Sequence, residues 1–172
     1  MKTDPGQEKL LVLVNQARKG TLVLPQFQRN FVWTRDDITG LLVSILEDHF
    51  IGSFLLLRTD ADNVPFAMRA IQGVDLNESQ LHPDVMILDG QQRLTSLHYV
   101  LSAPDIPLRG TKSPYRFFLS LDKMLEAYQK GANGNLEAAI WGDRSDYVAE
   151  YENRQLQFEK RVLPFTQVER WD

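Results

Sequence analysis

The stretch that decides the fold is Val85-Met86-Ile87-Leu88-Asp89-Gly90-Gln91-Gln92-Arg93-Leu94-Thr95. Its four leading apolar residues read as a buried strand. Asp89-Gly90 turns the chain, and Gln91 to about Leu101 reads as a helix whose inner face is Leu94, Leu97, His98 and Leu101. The first backbone N–H groups of such a helix have no intrahelical acceptor. They form an anion site, which the helix dipole strengthens. Arg93 is the odd residue, because a cation in the first turn opposes the dipole at a cost of roughly 0.3–1 kcal/mol. A bound phosphate removes that conflict, since arginine clamps it in a fork while the amides cradle it. Gln91 and Gln92 add donors and acceptors that can orient a water or a phosphate oxygen. Asp89 suits Mg²⁺ held through water, or a ribose hydroxyl. A plainer reading stands beside this one: Asp89 caps the helix and Arg93 pairs with an acid elsewhere.

Upstream, Leu24-Pro25-Gln26-Phe27-Gln28-Arg29-Asn30-Phe31-Val32-Trp33 reads as a loop between a short strand (Thr21 to Leu24) and a capped helix. Loops on a rigid scaffold often carry function. Phe27, Phe31 and Trp33 either stack a base or plug the edge of a core, and large aromatics favour the core. Gln28 and Arg29 have no such structural use, which points them to a site.

The remaining elements surround these two segments. A first helix runs from about Gln7 to Lys19, with Leu10, Leu11, Val14 and Ala17 on one face and Gly20 as its stop. Thr34 is an N-cap, Asp36 and Asp37 suit the first turn, and Ile38, Leu41, Leu42, Ile45 and Leu46 follow helical spacing. Ser53 to Arg58 predicts a strand buried on both faces. Residues 59–84 read as an irregular or functional excursion, in which only Phe66 to Ile71 suits a strand or short helix. Tyr115 to Leu121 reads as a strand, followed by a helix capped by Asp122, carrying Leu125 and Tyr128 and stopped by Gly131. Leu136–Trp141 and Tyr147–Gln155 read as helical, and Gln157–Leu163 as a strand. The fold class is mixed α/β (α+β), with a small sheet and flanking helices. The chain is expected to be part of a longer protein.

Composition narrows the chemistry. The 172 residues contain no cysteine, which excludes disulfides, thiolate metal sites and a cysteine nucleophile. The three histidines, His49, His82 and His98, lack metal-binding spacing. His98 reads as a semi-buried core histidine. The net charge of −4 argues against coating nucleic acid by bulk charge, but not against a local basic site. Residues 1–100 carry 9 basic and 12 acidic side chains, so no basic domain is fused to an acidic one. No apolar run reaches the roughly 18 residues of a membrane span. The expected location is the cytoplasm.

Together, LPQFQRNFVW (24–33), ITGLLVSILEDHFIGSFLLLR (38–58) and ILDGQQRLTSLHYVL (87–101) resemble the DGQQR-motif domain family. That family is grouped with ParB-like and sulfiredoxin folds. It forms the N-terminal part of GmrSD-type, modification-dependent restriction and phage-defence proteins. The resemblance covers roughly the first 100 residues and fades from about residue 102. It implies a ParB/sulfiredoxin-like core over 1–110, with a mixed extension over 111–172 in the same domain. It also implies a nucleotide site on Asp89, Gly90, Gln91, Gln92 and Arg93, faced by Gln28 and Arg29. The cofactors it implies are Mg²⁺, on Asp89, and an NTP, with GTP favoured. DNA and a nuclease module are the implied partners, and no membrane.

Residues 102–172 contain no histidine, so an HNH-type metal centre is not expected there. The leading expectation is slow NTP hydrolysis that regulates a nuclease, with Asp89, Gln91, Gln92 and Arg93 as catalytic candidates. A DNA-binding module without turnover, a ParB-like nuclease and a purely structural interaction domain are the alternatives.

Overall fold

The structure, a computed structural model, describes residues 6–59, 65–146 and 148–170. It is mixed α/β, with five α-helices and two small sheets among the described residues. Contacts divide the chain into two units. One comprises Met1–Asn30 and Ser53–Thr95, the other Phe31–Gly52 and Ser96–Asp172.

The first unit is built on a four-stranded sheet. Its strands are β1 (Leu22–Pro25), β2 (Leu55–Arg58), β3 (Met68–Arg69) and β4 (Val85–Asp89), in the order β2-β4-β1-β3. β1 and β4 run parallel, and both outer pairs are antiparallel. β1 is buried throughout, and α1 (Leu10–Arg18) packs on it with Leu13, Val14 and Ala17 inward. Val23, Leu81 and Met86 form a second cluster, joined by Leu57, Met68 and Leu88. The parallel pair covers Leu22 and Val23, and β1 itself ends at Pro25, which has no N–H to donate. β4 runs on to Asp89 and delivers it to the turn that starts α3 (Gln91–Ser102).

The second unit holds α2 (Arg35–Leu46), the continuation of α3 from Ser96, α4 (Leu121–Lys130) and α5 (Arg154–Glu159). Its sheet has the order β6-β5-β7, from β5 (Tyr115–Ser120), β6 (Ile140–Arg144) and β7 (Val162–Pro164). α2 begins as its sequence predicts. The Thr34 N–H donates to the Asp37 carboxylate at 2.8 Å, and the Asp37 N–H donates back to Thr34 Oγ1 at 3.3 Å. That backbone donation holds the Asp37 carboxyl below its usual range. Ile38, Leu42, Tyr99, Val100, Phe117, Leu119 and Phe165 are among the residues of the core. Phe31 and Trp33 pack against it, as the core-plug reading of those two aromatics expects.

Tyr99 is the polar pin of this core. Its hydroxyl donates to the Ile106 carbonyl and accepts from the Tyr115 N–H, each at 2.8 Å. Burial pushes its phenol up from 10.0 to about 12. A folded value above the unfolded one contributes stability below pH 10, and that contribution is lost as pH rises toward about 12. Tyr99→Phe is expected to cost about 1–3 kcal/mol at neutral pH. Urea midpoints at pH 9 and pH 12 should fall less for Tyr99→Phe than for the parent chain.

Several local expectations are corrected. β2 is an edge strand with Leu55 and Arg58 exposed, not a strand buried on both faces. A run of leucines does not reveal how many neighbours a strand has. In α1, Leu13 rather than Leu11 faces inward. α3 is buried nearly all round rather than on one stripe. The cap of α4 is Ser120, whereas Asp122 sits in the first turn and pairs with Arg161 at 2.8 Å. Leu136–Trp141 is not a helix: a 3₁₀ turn at Glu137–Ala139 leads into β6. There Ile140 and Trp141 pair with Leu119 and Phe118, a distant partnership that overrides local propensity. Gln157–Leu163 is not one strand, because α5 runs to Glu159 and β7 begins at Val162. Tyr147–Gln155 is helical as expected, but in two short pieces: a 3₁₀ helix at Ala149–Glu152, then α5, which Asn153 starts by accepting from the Gln155 and Leu156 N–H groups. Tyr147 itself and residues 60–64 lie outside the described residues.

Candidate functional site

The site candidates gather in the first unit, around the turn from β4 into α3. Gly90 makes that turn with φ +94°, a region glycine enters without strain. Its carbonyl accepts the first helical bond, from the Leu94 N–H at 3.1 Å. The amides of Gln91, Gln92 and Arg93 therefore lie ahead of the first i→i−4 bond of α3. Asp89, the last residue of β4, has a side chain 74% exposed. It stands ahead of the helix with its carboxylate open to solvent, not folded onto the helix amides as a cap.

Arg93 is held by its surroundings. Its Nη2 donates to the Ser53 carbonyl at 2.8 Å. Its guanidinium lies 5.0 Å over the centre of the Phe54 ring. The Asp89 carboxylate is 3.8 Å away. The Asp89 carboxylate, four positions earlier, thus helps to offset the conflict between Arg93 and the helix dipole. The side chain stays 17% exposed, which leaves it an outer edge.

The two segments singled out by sequence are joined directly. Gln28 Nε2 donates to the Leu88 carbonyl at 2.8 Å. Gln91 Nε2 donates to the Arg29 carbonyl at 2.8 Å, and Gln92 Nε2 to the Asn30 carbonyl at 3.0 Å. Both glutamines are buried, at 6% and 7% exposure. Their amide nitrogens thus anchor the 28–30 loop to α3. Arg69 completes the brace by donating to the Gln28 and Arg29 carbonyls at 3.0 and 3.2 Å. The Arg29 side chain is exposed and makes no hydrogen bond or ion pair among the described residues.

Sequence reasoning did not single out Ser53, Phe54 and Arg69. The register holds the signal that finds them. Leu55 pairs with Asp89, which brings Phe54 beside Gly90, and Leu24 pairs with Arg69, which brings Arg69 to the loop. Neither pairing is local in sequence. Phe27 parts from the other aromatics: it is 66% exposed and meets Phe66 edge to face at 5.2 Å. His98 is buried, with Nδ1 3.1 Å from Ser102 Oγ. No group of three or more histidine or acidic side chains suited to a metal occurs among the described residues. Any divalent cation at Asp89 would need phosphate oxygens or water as further ligands.

Residues 10–170 match the profile of the family described as GmrSD restriction endonuclease, N-terminal domain. The chain belongs to that family. An uncharacterised protein of Methanocaldococcus jannaschii is 45% identical over 129 residues, 73% of this chain. The chain spans 22% of that protein's length. The GmrSD match extends well past residue 102, where the resemblance read from the motifs fades. Membership places the chain in the context of restriction systems. No helix among the described residues is long and apolar enough to cross a membrane.

Proposed function

We propose that this GmrSD N-terminal domain binds a nucleoside triphosphate with Mg²⁺ at the β4–α3 turn and hydrolyses it slowly, as the regulatory part of a modification-dependent restriction nuclease. The observation that carries the reading is the convergence of an exposed carboxylate, a glycine turn, a helix N-terminus and Arg93. The amides of Gln91 to Arg93 cradle a phosphate with help from the helix dipole. Arg93 presents a rigid fork of donors to the phosphate oxygens, and its packing on Phe54 pre-orders that fork. Asp89 would hold Mg²⁺, which would neutralise charge on the phosphates. Arg29, exposed on a braced loop, supplies a second cation. Gln91 keeps its Oε1 as an acceptor that orients the attacking water, while its Nε2 and that of Gln92 fix the loop. Charge that develops on the phosphoryl oxygens is stabilised by donors already in position, which is how phosphoryl transfer is accelerated. The family resemblance favours GTP, and DNA and a nuclease module would complete the system.

Titration calorimetry with GTP and Mg²⁺ tests this. Arg93→Ala is expected to weaken binding at least tenfold, because a charge-assisted contact contributes roughly 1.5–3 kcal/mol. Asp89→Asn is expected to remove the Mg²⁺ dependence. Equal affinity in Arg93→Ala and the parent chain would defeat the phosphate-clamp role.

The exposed Phe27–Phe66 pair favours a second reading, a nucleic-acid module in which Phe27 stacks a base beside Arg29. It predicts DNA affinity that falls steeply with salt and is lost in Phe27→Ala. Nucleotide binding with no DNA shift at low salt would decide for the first reading.

A further inference from the structure

The chain passes between its two units at three points: Asn30–Phe31, Gly52–Ser53 and Thr95–Ser96. On the first-unit side, all three lead back to the start of α3. The Asn30 carbonyl belongs to the peptide group that makes the first crossing, and it accepts from Gln92 Nε2 at 3.0 Å. The Ser53 carbonyl, on the first residue after the second crossing, accepts from Arg93 Nη2 at 2.8 Å. The third crossing lies inside α3 itself, two residues after Arg93. The two hydrogen bonds span 62 and 40 residues, so neither is a by-product of local chain geometry. Gln91 and Arg69 hold the neighbouring Arg29 carbonyl, which ties the rest of that loop to the same helix.

Segments joined by such bonds open together and share one opening equilibrium. A ligand that binds only the closed form lowers that opening by the factor 1 + [L]/Kd. A phosphate cradled by the amides of Gln91 to Arg93 fixes the turn of helix from which both donors spring. Breaking the bond from either donor to its crossing then also disturbs the ligand, and coupling of this kind is reciprocal.

We propose that occupancy of the β4–α3 turn is passed along the chain through these crossings: a bound triphosphate locks the Asn30–Phe31 and Ser53–Phe54 peptide groups, and an empty turn lets them open locally. This rests on the nucleotide reading above and adds the regulation of that site. Phe31 and the residues that follow it belong to the second unit, so the lock reaches that unit through the main chain.

Amide hydrogen exchange of the whole chain, read at Phe31 and Phe54 in ¹H–¹⁵N spectra, tests the coupling with GTP and Mg²⁺ as the probe. Calorimetry fixes Kd first. At a free concentration of roughly 100 times Kd, both amides should exchange about a hundredfold more slowly. Lys112, on an exposed loop away from the crossings, should not respond. Gln92→Leu separates a lock from simple cover by the ligand. At the same multiple of its own Kd, Phe31 should lose its response while Phe54 keeps it. Should that variant not fold or not bind, the parent chain decides: equal slowing of the two amides supports a shared lock, and slowing at one alone overturns it. Binding with unchanged exchange at both amides overturns the coupling and leaves the nucleotide reading standing. A Phe31 response that survives Gln92→Leu overturns the coupling as well. Absence of GTP binding removes the nucleotide reading and the coupling with it.

Discussion

Replacing Gly90 with alanine is expected to destabilise the first unit by about 2–5 kcal/mol, and with it to abolish the nucleotide binding proposed for this turn. Two separate costs add. The backbone there has φ +94°, which an L-residue adopts only at roughly 1–2 kcal/mol. A Cβ would also lie 2.5 Å from Phe54 Cδ1 and 3.3 Å from Arg93 Nη2. Moving a packed ring out of the way adds roughly 1–3 kcal/mol. The ring that moves is the one under the Arg93 guanidinium, so the clamp shifts together with the turn. Urea denaturation separates the costs. In a Phe54→Ala background the steric cost vanishes, and Gly90→Ala should then cost only about 1–2 kcal/mol. The same loss in both backgrounds would show that the ring contact contributes nothing.

The double substitution Gln91→Leu with Gln92→Leu should release the loop that precedes Phe31, at a cost of about 2–4 kcal/mol. Each glutamine is a buried donor to a loop carbonyl, and each leucine leaves that carbonyl short of a partner. The two losses are unequal. The Arg29 carbonyl keeps its bond from Arg69, so Gln91→Leu alone should cost less than Gln92→Leu. Trypsin reads the outcome directly, because Arg29 lies on the released loop. Cleavage after Arg29 should accelerate about tenfold for each 1.4 kcal/mol lost in local opening. Unchanged cleavage in the double variant would mean that the glutamines do not hold the loop.

The contrast between these variants shows what sequence could carry. The turn at Asp89-Gly90, the start of α2 at Thr34 and the strand before the DGQQR segment were legible because their causes are local. A carboxylate, a glycine and a capping hydroxyl act within a few residues of themselves. The attachment of Gln28 and Arg29 to this turn was legible only through the family resemblance, because the joining hydrogen bonds span about sixty residues. Phe54 and Arg69 escaped because their importance comes from strand register. In the last third of the chain, Leu136–Trp141 and Gln157–Leu163 depart from their sequence reading for a related reason. Ile140 and Trp141 suit a helix by spacing, yet they complete a ladder with Leu119 and Phe118. The glutamines carry the sharpest lesson. Their polarity marked them for a site, and their side-chain nitrogens turn out to serve main-chain carbonyls.

The way the chain passes between its two units also bears on its synthesis. Every segment of the first unit has been made once Thr95 has been added, so that unit can close early. The second cannot. α2 is complete by residue 46, but the strands β5, β6 and β7 that complete its unit span Tyr115–Pro164. At roughly 5–20 residues per second, the apolar face of α2 waits on the order of ten seconds for them. Through that interval the nascent chain carries a finished helix with its greasy stripe uncovered, which makes Ile38, Leu41 and Leu42 the natural handhold for a chaperone at the ribosome.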